Sequence, residues 1–229
     1  MITYHHDLIQ GSDEWIAARC GLISAGSMNL LLTPTLKVAS NEKERSHLYE
    51  LAAQRITRYV EPQYFNDDML RGQIDEVEAR IIYSEKFAPV TEVGMITNNR
   101  WGFTIGYSPD GVVGDSGLIE CKSRRQKFQI ETLVKAVPDQ VVPADYILQV
   151  QTGLLVSERE WLDFISYSGG WPMCVIRCYP DPEMQEAIIN AVSAAEKKIA
   201  AIIERYNDVL RSDFRLVPTE RKVTQEMHL

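Results

Sequence analysis

The stretch from Ser108 to Lys122 constrains the fold more than any other part of the chain. Residues 114–117 are Gly, Asp, Ser and Gly, which favour a tight turn, and the apolar residues on either side predict the two strands of a hairpin. A hairpin closed at this turn brings Asp110 close to Glu120. Because side chains alternate along a strand, Glu120 and Lys122 lie on the same face. Two acids and a lysine then meet at one end of a sheet, an arrangement for holding a metal ion and a nucleophilic water.

The segments around this hairpin alternate between helical and strand patterns. Large apolar residues alternate from Trp101 to Tyr107 and predict a strand, which Pro109 ends or bulges. Ser12 and Asn41 are suited to cap helices at their N-termini. Helices are predicted from residue 12, at 41–60, at 68–88, at 126–136, at 145–157 and at 182–206, and further strands at 160–167 and 171–179.

Composition is that of a globular protein with no general affinity for nucleic acid. The 229 residues are 45% hydrophobic and 24% charged, and the formal net charge is −8, which argues against a uniformly basic binder but leaves room for a local basic channel. A single domain over 1–229 is expected, and the polar last 15–20 residues predict a loosely held tail. Neither a leader nor an apolar run of about 18 residues is present, so a cytoplasmic location and no membrane contact are expected. The four cysteines form no Cys-x-x-Cys pair, which favours structural or incidental thiols.

Two further patterns outside the hairpin each allow a functional and a structural interpretation. Arg19 precedes a helix start rich in hydroxyls, Ser24 to Ser27, which is either a phosphate site or an ordinary helix cap. On the helix at 68–88, one stripe is apolar, and a second, Gly72-Glu76-Ala79-Tyr83, carries an acid, so a helix buried on two faces is expected. Glu76 is therefore either a functional carboxylate on a buried face or a surface partner of Arg80.

Basic and amide side chains that follow the hairpin allow the same two interpretations. Arg124, Arg125 and Lys127 extend the positive charge beyond Lys122 and either contact phosphates or form a solvated surface. Gln149 and Gln151 lie in an apolar helix and need hydrogen-bond partners, which are structural by default.

These segments, taken in order, resemble the PD-(D/E)xK nuclease superfamily, and within it the lambda-type 5′→3′ alkaline exonucleases of viral recombination. The matching stretches are residues 11–27, Gly72-x-x-x-Glu76-x-x-x-Arg80, Ser108-Pro109-Asp110-Gly111, Glu120-Cys121-Lys122 and Tyr146-x-x-Gln149-Val150-Gln151. The resemblance implies an α/β (α+β) restriction-endonuclease-like core, with a central mixed β-sheet flanked by helices.

The resemblance also implies roles for individual residues. One or two Mg²⁺ ions, replaceable by Mn²⁺, are bound by Glu76, Asp110, Glu120 and the Cys121 carbonyl. Lys122 orients or activates the attacking water, as a base of depressed pKa, and Gln151 assists in holding the water or Lys122. A 5′-phosphate is bound by Arg19, Ser24 and Ser27, although Gly26 stands where the family commonly has a serine. Arg124, Arg125 and Lys127 contact DNA, and Met69 or Leu70 acts as a wedge between terminal bases.

The expected activity is digestion of one strand of linear duplex DNA from its 5′ end to mononucleotides, leaving 3′ tails. The expected partners are duplex ends with a 5′-phosphate, a single-strand annealing protein and two further copies of the chain in a closed ring, in a phage or bacterial host cell. A structure-specific or restriction-like endonuclease on the same core and a non-catalytic DNA-binding module are the alternatives.

Overall fold

Two four-stranded sheets and eight α-helices make up the computed structural model, which describes residues 1–62 and 66–221. The helices are α1 (Asp13–Ala18), α2 (Met28–Leu31), α3 (Glu42–Thr57), α4 (Asp67–Lys86), α5 (Gln126–Glu131), α6 (Val137–Asp139), α7 (Ala144–Ser157) and α8 (Pro182–Leu210). A 3₁₀ turn (Ala25–Ser27) precedes α2, and a π-helical turn (Thr132–Ala136) joins α5 to α6. The strands are β1 (Ile2–His5), β2 (Ile23–Ser24), β3 (Met95–Asn98), β4 (Ile105–Tyr107), β5 (Gly111–Val113), β6 (Gly117–Ser123), β7 (Trp161–Tyr167) and β8 (Cys174–Cys178).

Both sheets are mixed, which confirms the predicted α/β class. In the first sheet the order is β1-β3-β4-β2, with β2 parallel to β4. In the second sheet the order is β5-β6-β7-β8, with β6 parallel to β7. The single central sheet that was expected is thus divided into two, and the chain passes from the first to the second through Pro109 and Asp110.

The predicted hairpin is confirmed as β5 and β6. They pair antiparallel with Gly111 opposite Ile119, and Gly114 takes a φ of +50° in the turn, a conformation open to glycine at little cost. The strand predicted from Trp101 is shorter than expected, because Gly102 has a φ of +84° and the extended backbone begins only at Ile105.

The second sheet is covered by α4 on one face and by α7 on the other. Ala79 and Tyr83 of α4 pack with Ile119 and Cys121 of β6, whereas α7 packs with the opposite face of the sheet. Since α7 also contacts β3 and β4, it joins the two sheets.

Only one of the two stripes of α4 is buried, which corrects the expectation of a helix buried on two faces. The stripe that carries Glu76 faces the sheet, with Ala79 and Tyr83 almost fully buried. The second stripe is between 45% and 55% exposed and consists of Leu70, Ile74, Val77 and Ile81. Apolar spacing alone does not show which stripe meets the sheet.

At the far side of the molecule α3 packs against α8. Arg55 and Glu196 form a two-pronged ion pair with N–O distances of 2.6 and 2.7 Å. The helix α3 ends at Thr57, before the predicted end at residue 60, because Arg58 takes a left-handed conformation.

The chain beyond α8 is only partly described. Residues 211–221 form neither helix nor strand, and the remainder of the predicted tail, 222–229, lies outside the described residues. Within the part that the structure describes, every helix is too short or too polar to cross a membrane.

Candidate active site

The hairpin brings Asp110 and Glu120 together, as the sequence predicts. Asp110 lies just before β5, and its Oδ2 accepts the backbone N–H of Cys121 at 2.5 Å. Glu120 is 2% exposed. Its Oε1 accepts the ammonium of Lys122 at 2.7 Å, and its Oε2 accepts the hydroxyl of Tyr107 at 2.8 Å. The two carboxylates are therefore held by the backbone and by fixed donors rather than by solvent.

The third acid, Glu76, reaches this centre from α4. Arg80, one turn further along the helix, donates to Glu76 Oε1 at 3.3 Å and to the backbone carbonyl of Asp110 at 3.1 Å. The Glu76–Arg80 pair is thus real, but it is also part of the link between α4 and the start of β5. Arg80 consequently fixes the helix that carries Glu76 against the segment that carries Asp110.

Burial and mutual repulsion dominate the electrostatics of the three acids. Burial, and then the charges of Glu120 and Glu76, raise the pKa of Asp110 well above its ordinary value. Burial also raises the pKa of Glu76, against the opposing charge of Arg80. Crowded carboxylates of this kind are stabilised by a cation.

The same charges act on Lys122. Burial disfavours its ammonium, but the carboxylates of Glu120 and Asp110 outweigh burial and raise the pKa of Lys122 above its ordinary value. This arrangement favours the ammonium form, whereas a role as base would require a lower pKa.

The donor set of the centre suits a hard divalent cation. Carboxylate oxygens come from Glu76, Asp110 and Glu120, and a backbone carbonyl is available at Cys121, which are the ligands that Mg²⁺ prefers. Within residues 1–62 and 66–221, no three His, Cys, Asp or Glu side chains are already gathered closely enough to form a metal cage. The residues thus fit the ion by chemistry and by charge, although not by their present spacing.

Gln149, rather than the predicted Gln151, contacts the carboxylates of the centre. Gln149 Nε2 donates to Glu120 Oε1. Gln151 lies on another face of α7, where it donates to the carbonyl of Tyr179 at 2.8 Å and accepts the N–H of Asp181 at 2.9 Å. Two residues along a helix differ by about 200° around the axis, so only one of the two glutamines can face the carboxylates. Gln151 instead fixes the connection from β8 to α8.

Two residues that the sequence did not assign to the site support this arrangement, one from the first sheet and one from α7. Tyr107 donates to Glu120, and burial and that carboxylate raise the pKa of Tyr107, which keeps its hydroxyl protonated. Gly153 of α7 lies against the Tyr107 ring, where an added Cβ would lie 2.7 Å from Cζ. Gly153 follows Gln149 by one turn and so lies on the same face of α7. A glycine at this position was a signal in the sequence that this face of the helix approaches the site most closely.

A second polar group lies next to the centre, around Arg19. Its Nη1 donates to Ser108 Oγ at 3.2 Å and its Nη2 to Ser24 Oγ at 3.4 Å. The guanidinium stacks 4.3 Å from the centroid of the Trp15 ring, and the Trp15 indole N–H also donates to Ser108, at 3.0 Å. Ser27 is turned away, and its hydroxyl donates to the carbonyl of Ser24 at 3.1 Å.

The guanidinium of Arg19 has no acidic partner within the described residues, and burial lowers its pKa. A partly buried cation flanked by hydroxyls is suited to an oxyanion. The structure thus brings together Arg19 and Ser24 and adds Ser108, which the sequence had placed in a matching stretch without giving it a role.

The four predicted DNA contacts have different surroundings. Arg124 is held against Tyr146, with its Nη1 on the hydroxyl and its Cζ 5.1 Å from the ring centroid, so part of its guanidinium is already engaged. Arg125 pairs with Asp68, Lys127 lies over the ring of Phe128, and Met69 is 40% exposed on α4. Within the described residues, the side chains of Arg124 and Arg125 form a hydrogen bond or ion pair, and those of Lys127 and Met69 form none.

Similarity to solved structures agrees with this arrangement. An alkaline exonuclease from Laribacter hongkongensis, LHK-Exo, superimposes with a TM-score of 0.76 at 31% identity, over 87% of this chain and 98% of its own. The same protein in complex with dAMP matches with a TM-score of 0.76 at 32% identity, over the same shares of the two chains. A phage-related exonuclease from Haemophilus somnus 129PT shares the fold, with a TM-score of 0.62 at 15% identity, over 81% and 96% of the two chains. No curated protein sequence shows a significant match.

Fold and centre together define a nuclease of the alkaline exonuclease class. The sequence profile of the YqaJ-like viral recombinase domain matches residues 14–160, which include all three acids, Lys122 and Gln149. The chain belongs to the YqaJ-like viral recombinase family.

Proposed function

We propose that this chain is, as one nuclease domain, a Mg²⁺-dependent exonuclease that digests one strand of linear duplex DNA from its 5′ end. It releases mononucleotides and leaves 3′ single-stranded tails. LHK-Exo binds dAMP, a deoxymononucleotide of the kind that such a reaction releases, which supports the proposal.

The observation that carries the proposal is the position of Arg19 relative to the carboxylates. Ser108, which receives Arg19, stands two residues before Asp110. Two residues along a chain span at most about 7 Å. This is comparable to the separation of neighbouring phosphates along one strand. A terminal 5′-phosphate on Arg19, Ser24 and Ser108 thus sets the next phosphodiester at the carboxylates, so that one nucleotide is removed at a time.

The cleavage step assigns a role to each residue of the centre. Glu76, Asp110, Glu120 and the Cys121 carbonyl hold one or two Mg²⁺ ions, for which Mn²⁺ substitutes. The metal supplies Lewis-acid stabilisation of charge on the attacking and leaving oxygens. Lys122, as an ammonium, orients the attacking water and offsets negative charge in the transition state.

Three further side chains position the reacting groups. Gln149 and Tyr107 donate to Glu120 and hold its carboxylate in one orientation. Arg80 holds the carbonyl of Asp110 and the carboxylate of Glu76 in place. Their contribution is preorganisation, since none of them needs to move as charge develops.

Contacts to the rest of the duplex come from the surface around the centre. Lys127 is an exposed cation beyond β6, and Met69, or Leu70 beside it, is an exposed apolar side chain at the start of α4. We assign Lys127 to phosphate contact and Met69 to a wedge between terminal base pairs. A wedge separates the strand to be digested from its complement, which continues as the 3′ tail.

The assembly we propose is a closed ring of three copies around the duplex, which delivers 3′ tails to a single-strand annealing protein. The exposed apolar stripe of α4, defined above, supports a protein contact on this helix, because contiguous apolar surface of this kind is typical of interaction sites. Light scattering after gel filtration should give three times the chain mass. If Ile74→Asp leaves that mass unchanged, α4 is not in the interface.

Linear and covalently closed circular duplex, offered separately with Mg²⁺, test the proposed function. An exonuclease releases nucleotides from the linear form and leaves the circle intact. Cleavage of the circle would favour the restriction-like endonuclease. Binding without release of nucleotides, with Mg²⁺ or Mn²⁺, would favour a non-catalytic module.

A further inference from the structure

Two arginines beside the centre converge on a single carboxylate. Asp68 Oδ1 accepts Arg71 Nη1 at 2.9 Å, and Asp68 Oδ2 accepts Arg125 Nη2 at 2.5 Å. Arg71 and Arg125, called the arginine pair below, come from different elements: α4 and the residues after β6. Two guanidiniums that share one oxyanion form the geometry in which arginines also bind a phosphodiester.

The arginine pair is anchored next to the cleavage centre. Arg71 Nε donates to Ser123 Oγ at 3.2 Å, and Ser123 directly follows Lys122 on β6. The hydroxyl of Ser123 donates in turn to Asp75, whose carboxylate lies 3.9 Å from Arg71 Nε. These contacts fix the direction of Arg71, while its Nη1 is left to Asp68.

The bond to Asp68 is weak enough to be exchanged. The side chains of Arg71, Arg125 and Asp68 are 41%, 61% and 50% exposed, and ion pairs at such exposure contribute little to stability because water and salt screen them. A DNA phosphate brings the same oxyanion chemistry and releases condensed counterions when it binds. The carboxylate is therefore a competitor that a DNA strand can displace.

We propose that the arginine pair is a phosphate subsite for the DNA strand at the cleavage centre, and that Asp68 occupies it in the absence of DNA and sets its affinity. This inference rests on the proposed function and adds to it a specific contact and an internal competitor. The same carboxylate keeps two cations from acting as a general basic patch, which suits a chain of net charge −8.

The test is Asp68→Asn, with Asp67→Asn as its matched control. Both acids are exposed and lie in the first turn of α4, so each substitution removes one negative charge and one favourable interaction with the helix dipole. Of the two acids, Asp68 alone pairs with an arginine among the described residues. Binding is measured by fluorescence anisotropy with a 5′-phosphorylated linear duplex, with Ca²⁺ in place of Mg²⁺, across a series of salt concentrations, and nucleotide release is measured in parallel with Mg²⁺.

Asp68→Asn should bind the duplex about three- to tenfold more tightly than wild type, from the release of two exposed pairs, and Asp67→Asn should change affinity far less. Arg71→Ala and Arg125→Ala should each lower the slope of log affinity against log salt by about one. With both arginines replaced, Asp68→Asn should have no further effect.

Equal effects of the two aspartate substitutions would overturn the inference, because general electrostatics would then explain them. If the wild-type chain cleaves linear duplex and Asp68→Asn binds the duplex with unchanged affinity, this inference alone is overturned. A wild-type chain that releases no nucleotides overturns the proposed function and the subsite with it.

Discussion

Gln149 and Gln151 are two residues apart on the same helix, and substituting each by Ala should separate catalysis from stability. Gln149→Ala removes a donor to the buried carboxylate of Glu120. Hydrogen bonds to charged groups contribute about 1.5–3 kcal/mol, and each 1.36 kcal/mol corresponds to a factor of about ten in rate. We therefore expect the rate of nucleotide release to fall about 10- to 100-fold while the fold is retained.

Gln151→Ala should have the opposite profile. It leaves the N–H of Asp181 and the carbonyl of Tyr179 without their buried partner, which should lower the free energy of unfolding by about 1–3 kcal/mol. The rate of nucleotide release by the folded fraction should stay within about a factor of two of wild type, since a change that leaves the centre intact alters the barrier little.

The assay pairs single-turnover nucleotide release at saturating Mg²⁺ with urea denaturation of the same preparations. The reasoning is refuted if Gln151→Ala remains as stable as wild type and loses activity. It is also refuted if Gln149→Ala cleaves at the wild-type rate.

Three further predictions follow from the site. Asp110→Asn should raise the Tm at neutral pH, because a carboxyl whose pKa is raised on folding destabilises the folded chain as pH rises from the ordinary value of about 4 through the raised value in the folded state. The gain should vanish below the ordinary value, and a Tm below that of wild type at neutral pH would contradict the prediction. Gly153→Ala should lower the unfolding free energy in urea by about 1–3 kcal/mol, since its Cβ meets the Tyr107 ring; an unchanged midpoint would show that the ring moves freely. Arg19→Ala should reduce the preference for 5′-phosphorylated over 5′-hydroxyl duplex ends about 10- to 100-fold. The control is Arg45→Ala, which replaces an exposed arginine on α3 and should leave this preference unchanged. If Arg19→Ala also leaves it unchanged, the phosphate site lies elsewhere.

Much of the centre could be predicted because the determinants are local. Turn residues at 114–117 set the hairpin, and strand alternation then placed Glu120 and Lys122 on one face. The positions of Asp110 and Glu120 follow from this register alone. For Glu76 the helical stripe left a functional and a surface role open, and the family resemblance placed it among the acids of the centre.

The remaining features depend on contacts that sequence spacing does not encode. Which stripe of α4 is buried depends on where the sheet lies, so the exposed side chain of Ile74 was not foreseen. The choice between Gln149 and Gln151 depends on the rotation of α7 about its axis, which is set by packing at Gly153. The pairing of Arg125 with Asp68 joins residues far apart in the chain and requires the tertiary structure.

The measurement that tests the central claim most directly is digestion of linear duplex labelled at the 5′ end or at the 3′ end, side by side, with Mg²⁺. The account predicts that the 5′ label is released at once as a mononucleotide, while the 3′ label stays on a strand that shortens progressively. Immediate release of the 3′ label, with the 5′ label retained on shortening strands, would contradict the assignment of Arg19 and Ser108 to the terminal phosphate.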